Sequence, residues 1–516
     1  MFMKCLLLAS YLLLAYLPLW AQLDNTFSGN GKVTAKIAGQ PTYGYDMVIQ
    51  PDQNILVAGS FDYGATTGFA VMRFTPDGTL DQSFGSGGKV SLIFPNYIFG
   101  PVKVGLQSTK KIVLMGEFGL PNEGREAVLV RLTPNGALDL SFSPTGYIVI
   151  PEPIQAYAMA IQPDDKILVG GNGGPGLGVN IFRYSPDGVM DTQFGTNGLA
   201  TVAGGSINGM CVGSGRIFTV GGGTGANWTQ VSCFTSNGFP DPHFGSGGVT
   251  PVNANGHDVT SLSGVNVTAD GFILAVGEFL PTGNNTHYRL LVVRLRPDGL
   301  LDPAFSGNGK LGVPFPSGSV FGTGVLMDFQ GLIYAAGVVE SAGGGVNKFG
   351  LCRVNMNGTL DTRFGDVGVL TTGWSGVYAD ANAIAQQSNG KIVLAGSAGA
   401  IAVARYNNPF IPPPPPVVTA LDSGAVESER RANLGSATAV RVFPNPVRSM
   451  LKVQGLDVQG SAILLVRDAV GKTMMSVKVE RQSEYSLDVH RLGAGMYFLE
   501  VVSGDGPKSF PFVKEP

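Results

Sequence analysis

A five-residue signature, Leu-Asp-x-x-Phe, recurs seven times along the chain and constrains the fold more than any other feature. Its aspartates are Asp24, Asp81, Asp139, Asp191, Asp241, Asp302 and Asp361. Its phenylalanines, always three residues later, are Phe27, Phe84, Phe142, Phe194, Phe244, Phe305 and Phe364. Successive aspartates stand 57, 58, 52, 50, 61 and 59 residues apart. Self-similarity at such a period marks a repeat architecture, whose units bury their apolar faces only against one another. Two further landmarks keep step. An apolar run ends in glycine at Gly59, Gly116, Gly171, Gly221, Gly277, Gly337 and Gly396. Another ends in arginine at Arg73, Arg131, Arg183, Arg294, Arg353 and Arg405, with Cys233 at that place in the fourth unit.

Each unit reads as four strands. In residues 45–90 a short apolar segment, Tyr45–Gln50, precedes the Pro51-Asp52-Gln53 turn. Asn54–Ser60 and Phe69–Thr75 are apolar and β-branched, and Thr75-Pro76-Asp77-Gly78 places Pro and Gly at favoured turn positions. Thr79–Leu92, which carries the signature, is read as the fourth strand. No window sustains a helical period, so the repeats are all-β. Four strands per 50–60 residues fit a propeller blade, and a β-helix coil is much shorter.

The ends of the array predict a closed ring. The first signature, at Leu23–Phe27, has no preceding strands, and the seventh unit, near 379–406, has no fourth strand after it. The N-terminal segment Leu23–Ile37 therefore supplies the outer strand of the last unit. The expectation is a seven-bladed β-propeller over 23–410. Units such as Arg73-Phe74-Thr75-Pro76-Asp77-Gly78-Thr79-Leu80-Asp81-Gln82-Ser83-Phe84-Gly85 resemble the delta-60 repeats of secreted bacterial β-propellers. That resemblance implies the fold and almost nothing about activity.

Composition agrees. Glycine is 75 of 516 residues, charged residues are 14% and hydrophobic residues 44%, which suits a turn-rich globular core rather than a coiled coil or a disordered chain. A net charge of -3 gives no basic field for nucleic acid. Residues 1–22, with Lys4, an apolar run from Cys5 to Trp20 and then Ala21-Gln22, read as a secretory signal peptide. No later run is long enough to span a bilayer. Removing that segment leaves Cys211, Cys233 and Cys352, which form no CxxC pair and suggest neither a disulfide framework nor zinc. No metal and no cofactor is expected.

Beyond the repeats lie the polyproline run Pro412–Pro416 and a polar linker over 411–440. Strand patterns resume over 441–516. Pro444-Asn445-Pro446, Gly471-Lys472 and Gly495-Met496-Tyr497 occur in that order. They resemble the type A C-terminal sorting domain of the type IX secretion system of Bacteroidetes-like bacteria. The resemblance implies a small C-terminal β-sandwich, recognition by the secretion machinery, passage through the periplasm, and a secreted or outer-membrane-surface location.

Loop spacing singles out one face. From the third-strand arginine, or Cys233, to the next signature aspartate the distance is always eight. From the second-strand glycine to the arginine it runs 14, 15, 12, 17, 16 and 9. Connections between the second and third strands, and between successive units, vary on one shared face, and loops carry function while scaffolds hold length. That face is aromatic. Tyr43, Tyr63, Tyr97, Trp228, Trp374 and Tyr378, with His257 and His287, are candidate contacts for a glycan or protein ligand.

Chemical motifs are weak. Gly171-Asn172-Gly173-Gly174-Pro175-Gly176 matches a dinucleotide fingerprint in spelling but opens no helix. Glu117 and Glu278 each follow a second-strand glycine, which reads as repeat echo rather than a carboxylate pair for glycosidic chemistry. No catalytic residue is assigned. The arginine–aspartate pairs are expected to brace their own hairpins. A monomeric, exported binding or scaffold propeller is the leading expectation. A secreted carbohydrate-active enzyme working in the channel and an adhesive surface protein are the alternatives.

Overall fold

The computed structural model describes residues 23–408 and 441–514 apart from short stretches, of which 120–124, 174–177, 223–228, 253–257, 282–286, 444–448, 455–460 and 469–472 are the longest. The signal segment, the linker, Trp228, His257, Pro444, Asn445, Pro446 and Gly471 lie outside the described residues, as does the side chain of Tyr97. The chain divides into two compact units, Met1–Pro409 and Phe410–Pro516. Every described element is a strand, and no described helix is long and apolar enough to cross a membrane.

The first unit holds seven four-stranded antiparallel sheets among its described residues. The first sheet runs Thr42–Ile49, Ile55–Tyr63, Thr66–Phe74, Lys89–Leu92, each strand paired to the next. Five more follow in the same up-and-down order, beginning at Tyr97, Gln155, Gly209, Asp258 and Val320. The seventh consists of Asp380–Gln386, Ile392–Ser397, Ile401–Tyr406 and, from the other end of the unit, Lys32–Ala35. Lys32 pairs with Ala404 and Ala35 with Ile401, so the N-terminal segment completes the last sheet.

Middle strands are buried over most of their length because both sheet faces pack against a neighbouring sheet. Ile112–Gly119 is buried at every position. Such strands read as continuous apolar runs without polar alternation. One apolar cluster fills each gap between consecutive sheets. Leu56, Phe84, Leu114 and Val130 bridge the first and second. Phe27, Met47, Val57, Val393 and Val403 bridge the seventh and first, closing the ring.

One element differs from the sequence reading. The signature does not lie on the fourth strand, which is only Lys89–Leu92 in the first sheet. It forms the connection leading into that strand. The Asp81 carboxylate accepts the Ser83 amide at 3.0 Å and the Ser83 hydroxyl at 2.7 Å, an aspartate turn that ends on buried Phe84.

In the second unit Arg441–Phe443, Met450–Gln454 and Glu484–Asp488 form one sheet. Thr473–Glu480, Ser461–Asp468, Gly495–Ser503 and Gly506–Lys514 form another. Leu451, Val453 and Leu487 from one meet Leu464, Val466, Tyr497 and Leu499 from the other in a shared core, which makes a sandwich. Gly495 starts its strand, and the buried Tyr497 pairs across to Phe512.

Candidate functional site

The face carrying the connections between third and fourth strands is a lock. Each repeated arginine meets its aspartate: Arg73–Asp81 at 2.7 Å, Arg131–Asp139 at 2.7 Å, Arg183–Asp191 at 3.0 Å, Arg294–Asp302 at 2.7 Å and Arg353–Asp361 at 2.9 Å. Arg405 meets Asp24 at 2.7 Å across the ring closure. The second function of these arginines escaped the sequence reading. Their Nη1 groups donate to the turn of the next sheet: Arg73 to Pro134 O at 2.9 Å, Arg131 to Pro186 O at 2.6 Å, Arg183 to Ser236 O at 2.7 Å. Arg294 reaches Met356 O, Arg405 reaches Pro76 O, and Arg353 reaches the Asn408 side chain. Most of these guanidinium groups also lie over the signature phenylalanine, as Arg73 does over Phe84 at 4.6 Å. The turn glycines explain themselves here. A Cβ on Gly78 would sit 2.8 Å from the Phe27 ring, and the φ of Gly78 is 90°. Every sheet is thus fastened to the next by the same chemistry, and this face is structural.

The opposite face is not repeated. Tyr43, Tyr63 and Tyr378 are 37%, 53% and 59% exposed, and His287 is exposed. Burial and the neighbouring Asp62 carboxylate, which accepts its hydrogen bond, push the Tyr43 hydroxyl above its ordinary pKa. Trp374 is half-buried, packed edge-on to Phe349 at 4.7 Å with the Lys32 ammonium over its ring, so it serves the wall between sheets. Phe61 and Phe94, which share this rim in sequence, are buried in the core.

Glu117 is buried and structural. Its Oε1 accepts the Ala156 amide of the next sheet at 2.8 Å, and burial raises its pKa. The same position after the glycine repeats this latch: Asn172 Oδ1 accepts Ile207 N at 3.0 Å, and Ser397 Oγ accepts Gly44 N at 3.1 Å.

The innermost strands enclose a cavity of about 200 Å³ on the ring axis. Most of these strands carry a β-bulge just before it, as between Gly44 and Asp46, Ala156 and Ala158, and Gly322 and Gly324. The next position stands opposite the residue preceding the second-strand glycine. Around the ring it holds Asp46, Lys103, Ala158, Gly209, Gly264, Gly324 and Ala383, all lining the cavity. Five are small and two, on adjacent sheets, are charged. Asp46 accepts Met47 N at 2.9 Å and Val104 N at 3.0 Å. Burial raises the Asp46 pKa, and the Lys103 charge beside it pulls the other way. Aligning the repeats against one another would have exposed this break in pattern. Loop spacing carries no sign of it, because the position lies within a strand.

Six stretches, 50–84, 107–142, 162–194, 268–305, 331–364 and 387–408, match the family described as a domain of unknown function (DUF5122) beta-propeller. Residues 441–514 match the secretion system C-terminal sorting domain. No curated protein matches the chain. Among solved structures, a catalytically inactive variant of virginiamycin B lyase from Staphylococcus aureus with quinupristin is 11% identical, covers 73% of this chain and 99% of its own, and has a TM-score of 0.44. A polysaccharide lyase is 11% identical over 72% of this chain and 93% of its own, with a TM-score of 0.41. A protein of unknown function from Dyadobacter fermentans is 10% identical over 73% and 99%, with a TM-score of 0.37.

Proposed function

We propose that this chain, built of DUF5122 beta-propeller repeats and a secretion sorting domain, is an exported propeller that binds a glycan or protein ligand through its unrepeated loop face. The sorting domain marks the chain for secretion and for the cell surface or outer membrane. One observation carries the binding reading. Tyr43, Tyr63 and Tyr378 are exposed on the face with varied connections, while the opposite face spends its polar groups on fastening the sheets. Aromatic rings on a rigid scaffold give large contact area at small entropic cost.

A glycosidase reading asks for two converging acid groups. Asp46 is the one carboxylate among the described residues lining the cavity, and Glu117 is occupied as a latch. This favours binding over catalysis. Glycan-array and surface-protein binding, run beside a polysaccharide-degradation screen on the exported chain, tests the reading. Retention of a ligand that is lost in Tyr43→Ala, Tyr63→Ala or Tyr378→Ala supports it. Turnover of a polysaccharide, or binding indifferent to all three changes, overturns it.

A further inference from the structure

We infer that the axial cavity is a second binding site, distinct from the loop face, and that it takes a single neutral sugar ring. The inference goes beyond the loop-face reading and does not depend on it. Its starting point is the pair of charges at a position where the other five sheets carry only Ala or Gly. The small residues there have a structural reason in part. A Cβ on Gly209 would meet Ser263 O at 2.5 Å, and one on Gly264 would meet Thr323 O at 2.8 Å. Asp46 there latches onto Val104 N of the next sheet at 3.0 Å, and Lys103 has no counterpart in that packing scheme.

The polar lining offers both acceptors and donors. Asn208 Nδ2 donates to Ser261 Oγ at 2.8 Å and Leu262 O at 3.0 Å. Asn382 Nδ2 donates to Gly44 O at 2.7 Å, Asn266 Nδ2 to Val325 O at 3.4 Å, and the Thr323 hydroxyl to Ala381 O at 2.8 Å. These bonds stitch neighbouring inner strands, using both N–H groups of Asn208 and one each of Asn266 and Asn382. Among the described residues no donor reaches the amide oxygens of Asn208, Asn266 or Asn382, although all three residues line the cavity. Nor does the Lys103 ammonium have a described hydrogen-bond partner, Asp46 being its charged neighbour.

This arrangement selects a ligand class. The asparagine side-chain oxygens suit hydroxyl protons, and the Lys103 ammonium suits a hydroxyl oxygen, while the Asp46 oxygens already accept Met47 N and Val104 N. A metal ion fits poorly. The described residues contain no cluster of three or more His, Cys, Asp or Glu, and the cavity already holds a cation. A volume of about 200 Å³ has room for one small molecule.

The test uses the exported full-length chain. Glucose, galactose, mannose and xylose are titrated by calorimetry and ligand-observed NMR, beside oligosaccharides of the same sugars to separate a free monosaccharide from the end of a chain. At least one sugar is expected to bind. Lys103→Met should weaken it about tenfold or more, the size expected for losing a charged hydrogen bond. Lys103→Gln, which keeps a donor, should weaken it less. Leu140→Ala, an exposed change on the fastening face, should leave monosaccharide affinity unchanged, and a loss confined to Lys103→Met places the sugar in the cavity rather than on the loop face. Absence of binding by every sugar, equal binding to Lys103→Met at an unchanged melting temperature, or binding of inorganic phosphate that no sugar displaces would each overturn the inference.

Discussion

Arg216 meets Asp241 at 3.4 Å from the start of the second strand of its sheet, taking the place of the third-strand arginine that Cys233 displaces. Its Nη1 also reaches Pro297 O of the next sheet at 2.9 Å, the same kind of bond that the repeated arginines make. In other units the Arg216 position holds Lys111, Lys166 or Lys391, each paired to the signature aspartate. The fourth unit has moved its guanidinium one strand inward and kept the fastening.

Two substitutions test this exchange. Arg216→Ala leaves Asp241 without its cation and should cost about 2–4 kcal/mol, seen as a lower denaturation midpoint. Arg216→Lys with Cys233→Arg rebuilds the pattern of the other units and should lie within about 1 kcal/mol of the parent. Equal destabilisation by the single and double variants would count against a shared role.

Ring closure depends on Asp24. Burial opposes its ionisation, but hydrogen bonds from Lys391 and Thr26 and the charge of Arg405 prevail and lower its pKa from 3.8 to about 2. The folded value lies below the unfolded one. The pair therefore adds its full stability above about pH 4 and loses it as pH falls towards 2. Asp24→Asn should be less stable at neutral pH, by about 3–5 kcal/mol if the buried arginine is left unpaired, and should lose less on acidification. Denaturation curves taken from pH 7 to 2 supply the comparison.

Deleting residues 23–37 removes Lys32–Ala35 from the seventh sheet together with Phe27 and Ile37 from the closing core. The melting temperature should fall steeply, with exposure of apolar surface to a hydrophobic dye. A deletion variant that melts like the parent would show that closure contributes little.

Cys211 and Cys233 pair with the same residue, Phe218, from opposite sides of its strand, so two strand spacings separate them. That is roughly 9–10 Å, beyond the reach of a disulfide. The three cysteines among the described residues, Cys211, Cys233 and Cys352, are free, and burial pushes each thiol up to about 12. Thiol reagents should leave the folded protein unlabelled at neutral pH and label three sites after denaturation. A Cys211–Cys233 crosslink in non-reducing mass mapping would contradict the sheet order.

Asn408 receives Tyr334 Oη at 2.7 Å and donates to Asp328 at 2.9 Å. A chain ending after Asn408 should fold and stay in the periplasm of a type IX-competent host, since the sorting domain has its own core. A chain ending after Tyr406 should melt lower. Surface delivery of either truncated chain would refute the tail as an address.

The repeat period, the unmatched signature at Leu23 and the eight-residue spacing from Arg73 to Asp81 are facts of covalent order, and they determined the strand content, the ring and the paired charges. Local chemistry suffices there, because a turn and its hairpin close within a few residues. Tertiary structure alone decided the rest. Pro134 O accepts from Arg73 across 61 residues, and Arg216 replaces a residue on another strand. Spacing within one unit carries no record of a bond made to the next. Exposure followed the same rule: Tyr63 and Tyr378 stayed outside, while Phe61 sank into the core and Trp374 into a wall. The cavity charges Asp46 and Lys103 come together only because seven inner strands converge on one axis, which sets side by side two residues 57 positions apart in the chain.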